Sequence, residues 1–368
     1  MRHFPSPGQG DDCETRTAKI RVLIVDDSGS MRRLIRLSLG NDPDIDIVAE
    51  AANAREARDA VNRYNPDVMT LDVEMPEMDG LEFLRRLMKA RPMPVVMVSS
   101  LTNNGSMAAI KALSLGAVEC VAKPAGISNA GLFPGLAAKL KLAAAARIRP
   151  RLPAGLANNI PRNDLTWGGK IVVVGASTGG VDAIEVLLSG FPESCPPTLI
   201  TQHMPQQYLK SFAARLDRLC APDIRIATDR EPLSQGKVRI APGGEYHLGL
   251  GQKFPFETIL IKGPKQSGHR PSVDVLFHSA VAFAPKSIAV LLTGMGSDGA
   301  DGMVKLRQAG SFCIAQDEDS SVIYGMARVA AERGGVDVTM DLGSIAETVL
   351  ARTSVSCDQK LMTNGQER

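Results

Sequence analysis

Four β-branched residues in a row, Ile171 to Val174, run straight into Gly175-Ala176-Ser177-Thr178-Gly179-Gly180, and this stretch restricts the possible folds more than any other. A strand that is apolar on both faces must be covered on both, which a parallel sheet flanked by helices achieves. The three glycines allow a tight turn and close backbone approach. From Gly179 onward, GGVDAIEVLLSGF has helical spacing. Strand, sharp turn with a serine at its crest, then helix are the parts of a G-x-S-x-G nucleophile elbow. Such a turn exposes a hydroxyl and leaves backbone N–H groups at a helix N-terminus to stabilise an oxyanion. It can also bind phosphate, or simply turn the chain. A dinucleotide site fits less well, because the glycines run G-x-x-x-G-G and the next strand, Pro197 to Gln202, ends in no acidic residue for a ribose.

At 368 residues the chain suits two domains, and with 44% hydrophobic and 22% charged residues it can bury a core in each. A net charge of +2, with four Tyr and one Trp, gives no footing for nucleic acid. No apolar run approaches a membrane span, and the start MRHFPSPGQGDD does not read as a signal peptide. The six cysteines (Cys13, Cys120, Cys195, Cys220, Cys313, Cys357) form no C-x-x-C pair. They read as reduced thiols of a cytoplasmic protein, neither disulfides nor zinc ligands.

The fold class expected is α/β, with two doubly wound, mostly parallel-sheet domains joined by a linker. Residues 1–18 form a polar, disordered lead-in. From Lys19 strands and helices alternate: KIRVLIV, MRRLIRLSLG, DIVAEA, REARDAVNRY, PDVMTLD, LEFLRRLMKA, PVVMVSS, SMAAIKALSLG and VECVAKP. Function collects at the carboxyl ends of such strands. Those ends carry Asp26 and Asp27, Asp72, Ser99 and Ser100, and Lys123. Three carboxylates with a hydroxyl and a lysine suit Mg²⁺ and a phosphoryl group. A single aspartate there would only cap a helix.

The motifs VLIVDDSGSMRR, MTLDVEMPEMDGLEFL, VMVSS and Lys123-Pro124 closely resemble the receiver domain of two-component response regulators, over about residues 19–140. The resemblance implies that Asp72 accepts phosphate from a histidine kinase. It implies too that Asp26, Asp27, Asp72 and the Glu74 carbonyl hold Mg²⁺, that Ser99 reorients on the phosphoryl group, and that Lys123 is its counter-charge. Cys120 departs from the pattern, since many receivers carry an aromatic switch residue there.

Residues 131–147 read as a turn and a helix closing a receiver that spans 19–147. Residues 148–169, with prolines, glycines and arginines but no periodicity, read as the linker. In the second domain, 170–352, PTLITQ ends at His203 and SIAVLLTG leads through Met295 and Gly296 to Asp298. Ser177, His203 and Asp298 thus lie at or just past strand ends on one rim, where they can supply nucleophile, general base and orienting anion. Of the other histidines, His3 lies in the lead-in and His278 in a helical run, while His247 and His269 sit in loop contexts that could line the cleft. The chain order Ser, His, Asp differs from the Ser, Asp/Glu, His order of the α/β-hydrolases, so the chemistry is shared without the fold. KVRIAPGGEYHLGL followed by FETILIK suggests a hairpin excursion within the sheet. Residues 353–368 form a polar tail.

VVGASTGG, TLITQHMP, IAPGGEYHL, GHRPSVDVLF, LLTGMGSDGADGM and AQDEDSSVIYGMA strongly resemble the catalytic domain of the chemotaxis protein-glutamate methylesterases, over about residues 170–352. The resemblance places the family's triad on Ser177, His203 and Asp298, and its oxyanion donors on the backbone N–H groups of Thr178 and Met295. Ala327 stands where the family usually has proline. The implied activity is hydrolysis of glutamate γ-methyl esters on methyl-accepting chemoreceptors, with deamidation of receptor glutamines through the same acyl-enzyme. Ester hydrolysis would need no cofactor, and no partner would be nucleic acid or inserted membrane. The alternative is a non-catalytic response regulator whose second domain is a receptor-binding module. A nucleotide-dependent oxidoreductase is a third reading, and it requires nicotinamide binding.

Overall fold

The computed structural model describes residues 19–99, 103–124, 133, 135–148 and 166–354. The expected lead-in with His3, Ser100, the linker from 149 to 165 and the tail from 355 lie outside the described residues. The first domain alternates β1 (Ile20–Val25), α1 (Gly29–Leu39), β2 (Ile45–Ala51), α2 (Ala54–Tyr64), β3 (Val68–Asp72), α3 (Gly80–Ala90), β4 (Val95–Ser99), α4 (Asn103–Ser114), β5 (Glu119–Ala122) and α5 (Leu136–Ala144). Its strands are parallel in the order β2-β1-β3-β4-β5. β3 and β4 are buried throughout, as continuous apolar runs in a sheet covered on both faces must be. Helix starts are local: Ser28, Asn53 and Asp79 each accept a hydrogen bond from the N–H three residues on.

The second domain contains β6 (Ile171–Ala176), α6 (Gly180–Ser189), β7 (Thr198–Gln202), α7 (Gln206–Leu219), β8 (Asp223–Ile226), β9 (Lys237–Ile240), β10 (Tyr246–Leu250), β11 (Thr258–Lys262), α8 (Val273–Ala280), β12 (Ser287–Leu291), α9 (Ala300–Gln308), β13 (Phe312–Gln316), α10 (Met326–Glu332), β14 (Val338–Met340) and α11 (Leu342–Thr353). Seven strands form one parallel sheet in the order β14-β13-β12-β6-β7-β9-β8. Val172 and Val174 face one apolar cluster, with Ile184 and Leu187 of α6. Ile171 and Val173 face the other, with Leu276 of α8 and Met303 of α9. The two-residue period of the strand divides the core in this way.

The expected hairpin excursion is corrected in one respect. β10 and β11 do pair antiparallel, but as a separate two-stranded sheet, while KVRI alone joins the main sheet as β9. β8 was not legible, because DIRI is short and half charged. It is an edge strand whose Asp223 meets the buried guanidinium of Arg239 at 2.9 Å. Trp167 pairs with Ser354 and Gly168 N–H donates to the Thr353 carbonyl, so the last residues of the expected linker already pack on the second domain.

Chain order reverses at the middle of the second sheet. From β6 the chain moves one way to β7, and from β12 it moves the other way to β13. The loops leaving β6 and β12 therefore diverge and open a crevice at the carboxyl edge of the sheet, where such folds place their ligands.

Candidate active site

Ser177, the loop 293–298 and His203 all sit at that crevice, with Ser177 one strand from each of the other two, because β6 lies between β12 and β7. The turn after β6 is built by close approach. A Cβ on Gly175 would lie 2.2 Å from Val273 Cγ1, and one on Gly294 would lie 2.7 Å from Ser177 Cβ. Gly179 has φ +79° and starts α6. The Thr293 carbonyl accepts from Ser177 N–H, and the Thr293 hydroxyl donates to the Thr178 carbonyl at 3.0 Å. Gln202, buried beside the turn, donates from Nε2 to the carbonyls of both Ser177 (2.8 Å) and His203 (3.1 Å). Neither the Thr178 nor the Met295 N–H donates to another group among the described residues, and Met295 is an exposed residue.

His203 Nε2 lies 2.7 Å from Asp298 Oδ2. Asp298 is held from the other side by α8. Ser272 Oγ–H donates to Oδ1 at 2.8 Å, Val273 N–H to Oδ2 at 2.7 Å and Asp274 N–H to Oδ1 at 3.1 Å. Burial pushes this carboxyl up, but the bond and charge of His203 and the two N–H groups outweigh it and hold the group down at about 2. An anion at a helix N-terminus also gains from the helix dipole. With Nε2 donating to the carboxylate, Nδ1 is the basic nitrogen of the ring. Nδ1 is buried and has no hydrogen-bond partner. This reverses the usual assignment, in which Nδ1 meets the carboxylate and Nε2 the serine.

The structure thus brings His203 and Asp298 together and puts Ser177 on the same small cavity as His203, while the expected hydroxyl–imidazole bond is not made. Such bonds commonly tighten only when substrate is bound. The other histidines separate clearly. His247 is a strut, its Nε2–H donating to the Pro264 carbonyl and its Nδ1 accepting from Ser272 N–H. His278 is on the surface beside Asp301 and Lys305. His269 stacks on His203, with ring centroids 3.7 Å apart and planes 2° apart. Burial, with His203 alongside, pushes His269 down to about 4. Ser272 and Gln202 were missed from sequence. A serine followed two residues later by aspartate, ahead of an apolar helical run, is a capping signal that could have marked Ser272.

In the first domain, ligand atoms of Asp26, Asp27 and Asp72 lie within 4.8 Å of one another. Lys123 Nζ is 2.7 Å from Asp72 Oδ2 and 3.4 Å from Asp26 Oδ2. Burial pushes Asp72 up to about 6 despite Lys123, with Asp26 adding to the rise, and Asp26 is itself raised by burial. Asp26 Oδ2 is buried without a hydrogen-bond partner. An under-compensated carboxylate cluster of this kind fits a small divalent cation. Glu74 N–H donates to Asp72 Oδ1 at 3.4 Å, which fixes the backbone just past β3. Ser99 is buried at the end of β4. An open depression of about 520 Å³, lined by Asp27, Glu74, Met75 and Asp79 among others, lies beside Asp72.

The raised Asp72 value has a consequence for stability. Its ordinary value is 3.8, so between there and about 6 the folded state holds a proton the unfolded chain has lost, and stability falls as pH rises across that window. In EDTA, Asp72→Asn is expected to raise the midpoint of thermal unfolding at pH 8, on the order of 2 kcal/mol in stability, and the gain should shrink toward pH 4. Melts of the two proteins at both pH values check this. An equal gain at each would show that the Asp72 charge is not the cause.

The two domains meet over the crevice. α4 packs against α7, and one apolar cluster runs from Ala109 and Ile110 to Leu209 and Phe212. Leu113, Val118, Glu119 and Cys120 of the first domain face Ser177, His203, Met204 and Tyr208 of the second across a cavity of only about 40 Å³. Cys120 is small and buried, and the ring at this place is that of Tyr208, supplied from the other domain.

A receiver sheet with its acidic cluster and lysine, packed over a doubly wound sheet that carries serine, histidine and carboxylate at its switch point, defines a two-component response regulator with an α/β output domain. Family models agree: the response regulator receiver domain matches residues 22–130 and the CheB methylesterase model matches 172–349. A protein-glutamate methylesterase/protein-glutamine glutaminase of Agrobacterium fabrum is 48% identical over 345 residues, 92% of this chain and 98% of that protein. A protein-glutamate methylesterase/protein-glutamine glutaminase 1 of Caulobacter vibrioides is 49% identical over 338 residues, 90% of this chain and 98% of that protein. This chain belongs to the CheB methylesterase family. No helix among the described residues is long and apolar enough to cross a membrane.

Proposed function

We propose that this chain is a phosphorylation-activated hydrolase that removes methyl groups from glutamate γ-methyl esters on methyl-accepting chemoreceptors in the cytoplasm. The observation that carries the reading is the His203–Asp298 pair, anchored on α8 and sharing one cavity with Ser177. Ser177 Oγ attacks the ester carbonyl as its proton passes to His203 Nδ1. The tetrahedral oxyanion lies against the N–H groups of Thr178 and Met295. Collapse expels methanol, which takes the proton from His203, and leaves an acyl-enzyme. Water, deprotonated by the same nitrogen, then frees the glutamate carboxylate and Ser177. Asp298 orients the ring and stabilises the imidazolium. With a glutamine side chain the same steps expel ammonia, which accounts for a glutaminase activity. Apart from substrate and water, these steps use only side chains and backbone N–H groups of this chain. A receptor-binding module without chemistry would have no use for an anion buried to orient a histidine.

Asp72 is the acceptor for a phosphoryl group from the chemotaxis histidine kinase. Asp26, Asp27, Asp72 and the Glu74 carbonyl would hold Mg²⁺, which neutralises phosphoryl oxygens when bound. Ser99 and Lys123 then contact the phosphoryl group. In the closed arrangement the crevice holds about 40 Å³, far below the several hundred of a working ligand pocket, so a receptor helix cannot enter. Phosphorylation at Asp72 shifts the population toward an open form. Methanol release from methylated receptor membranes tests both halves. With a small-molecule phosphodonor and Mg²⁺ the rate is expected to rise about tenfold or more. Asp72→Asn should keep the basal rate and lose the rise. A phosphodonor effect that survives Asp72→Asn would refute the regulatory half.

A further inference from the structure

We propose that His269 is a positioning residue for this reaction: the flat face of its ring fixes the plane of the His203 imidazole, so that one nitrogen stays on Asp298 and the other stays unengaged, ready to receive the serine proton. The inference rests on the hydrolase reading and adds a residue to it. His203 has one ring hydrogen bond, at Nε2, and none at Nδ1. A single bond at one edge leaves the ring free to rock about that point. The ring of His269, 3.7 Å away and within 2° of parallel, removes that freedom.

The stack is itself held rigidly. Gln266 and His269 exchange backbone hydrogen bonds across a turn with positive φ at Ser267 and Gly268. The next residue, Arg270, donates to the Gly244 and Gly263 carbonyls at 2.5 and 2.6 Å. Three residues after His269, Ser272 and then Val273 and Asp274 grip Asp298. One short segment therefore positions both the face of the imidazole and its anion. The His269 ring makes no hydrogen bond among the described residues, so the stack is what its side chain contributes. Its depressed titration, driven first by burial, leaves it neutral at neutral pH, and a neutral π-face tolerates the imidazolium that forms on His203.

The test uses the full chain with phosphodonor, in three variants. His269→Ala removes the face, His269→Leu fills the volume without one, and His269→Phe restores a flat ring that cannot titrate. Expected results for methanol release are a kcat lower by about tenfold to a hundredfold in the Ala and Leu variants, KM within about twofold, and the Phe variant within about threefold of wild type. Side-chain ¹⁵N NMR of His203 reads the same point without turnover. Wild type and His269→Phe should show one Nε2–H ring state, and His269→Ala and His269→Leu an averaged one. Wild-type kcat in the Ala and Leu variants, or a Phe variant as slow as Ala, would overturn the inference and leave the hydrolase reading standing. A wild type that releases no methanol would instead remove the hydrolase reading. The NMR arm then decides alone, and an unchanged His203 ring in Ala and Leu overturns the positioning role.

Discussion

Ser177→Ala is expected to lower kcat for methanol release by about 10⁴- to 10⁶-fold, with thermal stability close to wild type. The size follows from the pathway: without Oγ there is no acyl-enzyme, and only direct attack by water remains. The stability should hold because the elbow does not depend on the hydroxyl. Backbone bonds from Ser177 to Thr293, and Gln202 with Thr293 on the carbonyls of Ser177 and Thr178, keep the turn in place. A serine-directed organophosphorus probe should label the wild type and leave the alanine variant unlabelled. Retained labelling would move the nucleophile elsewhere.

Asp298→Asn is expected to cost about 10⁴-fold in kcat, far more than its effect on folding. Asp298 is an acceptor for four donors: His203 Nε2, Ser272 Oγ, and the N–H groups of Val273 and Asp274. An amide cannot accept all four. If its NH₂ takes the place of Oδ1, it meets the Asp274 N–H, and the oxygen left facing His203 and Val273 carries no negative charge. If it turns toward His203, it donates to Nε2, and the ring carries its proton on Nδ1, the nitrogen that must receive the serine proton. The first orientation loses the charge that stabilises the imidazolium, and the second puts the ring proton on the wrong nitrogen. The loss in folding is expected near 1 kcal/mol, the scale of removing a charge from a helix N-terminus. Paired kcat and denaturant measurements on the full chain separate the two effects. A tenfold loss or less would mean that the carboxylate does not orient the base.

Some of this arrangement was already legible in the linear chain. Apolar runs bounded by glycine, aspartate and serine marked the parallel strands, because a strand covered on both faces carries no polar alternation. Strand ends then marked Asp26, Asp27, Asp72, Ser99, Lys123, Ser177, His203 and Asp298, because a parallel sheet exposes only that edge to a ligand. Those signals are local, and each is written within a few residues. The hairpin β10–β11 was legible as two strands, but its detachment from the sheet was not, since strand pairing is a contact between distant segments. DIRI failed as a strand because half its residues are charged, and burying Arg239 against Asp223 is what made that composition acceptable.

What the tertiary structure alone decided is which atom of each group faces which. Nothing in TLITQHMP says that Nε2 of His203 turns to the carboxylate, and nothing in GHRPSVD says that His269 will lie flat on that ring while Ser272 caps Asp298. These relations join residues about 25 to 95 positions apart, so they are set by how the loops after β6, β7 and β12 fold onto α8. The closure of the crevice by α4 and β5 belongs to the same class. Residue types and strand ends determined what chemistry the chain could carry. Long-range packing determined the orientation of the base and its access to solvent, because direction and distance between remote side chains exist only once the backbone has closed on itself.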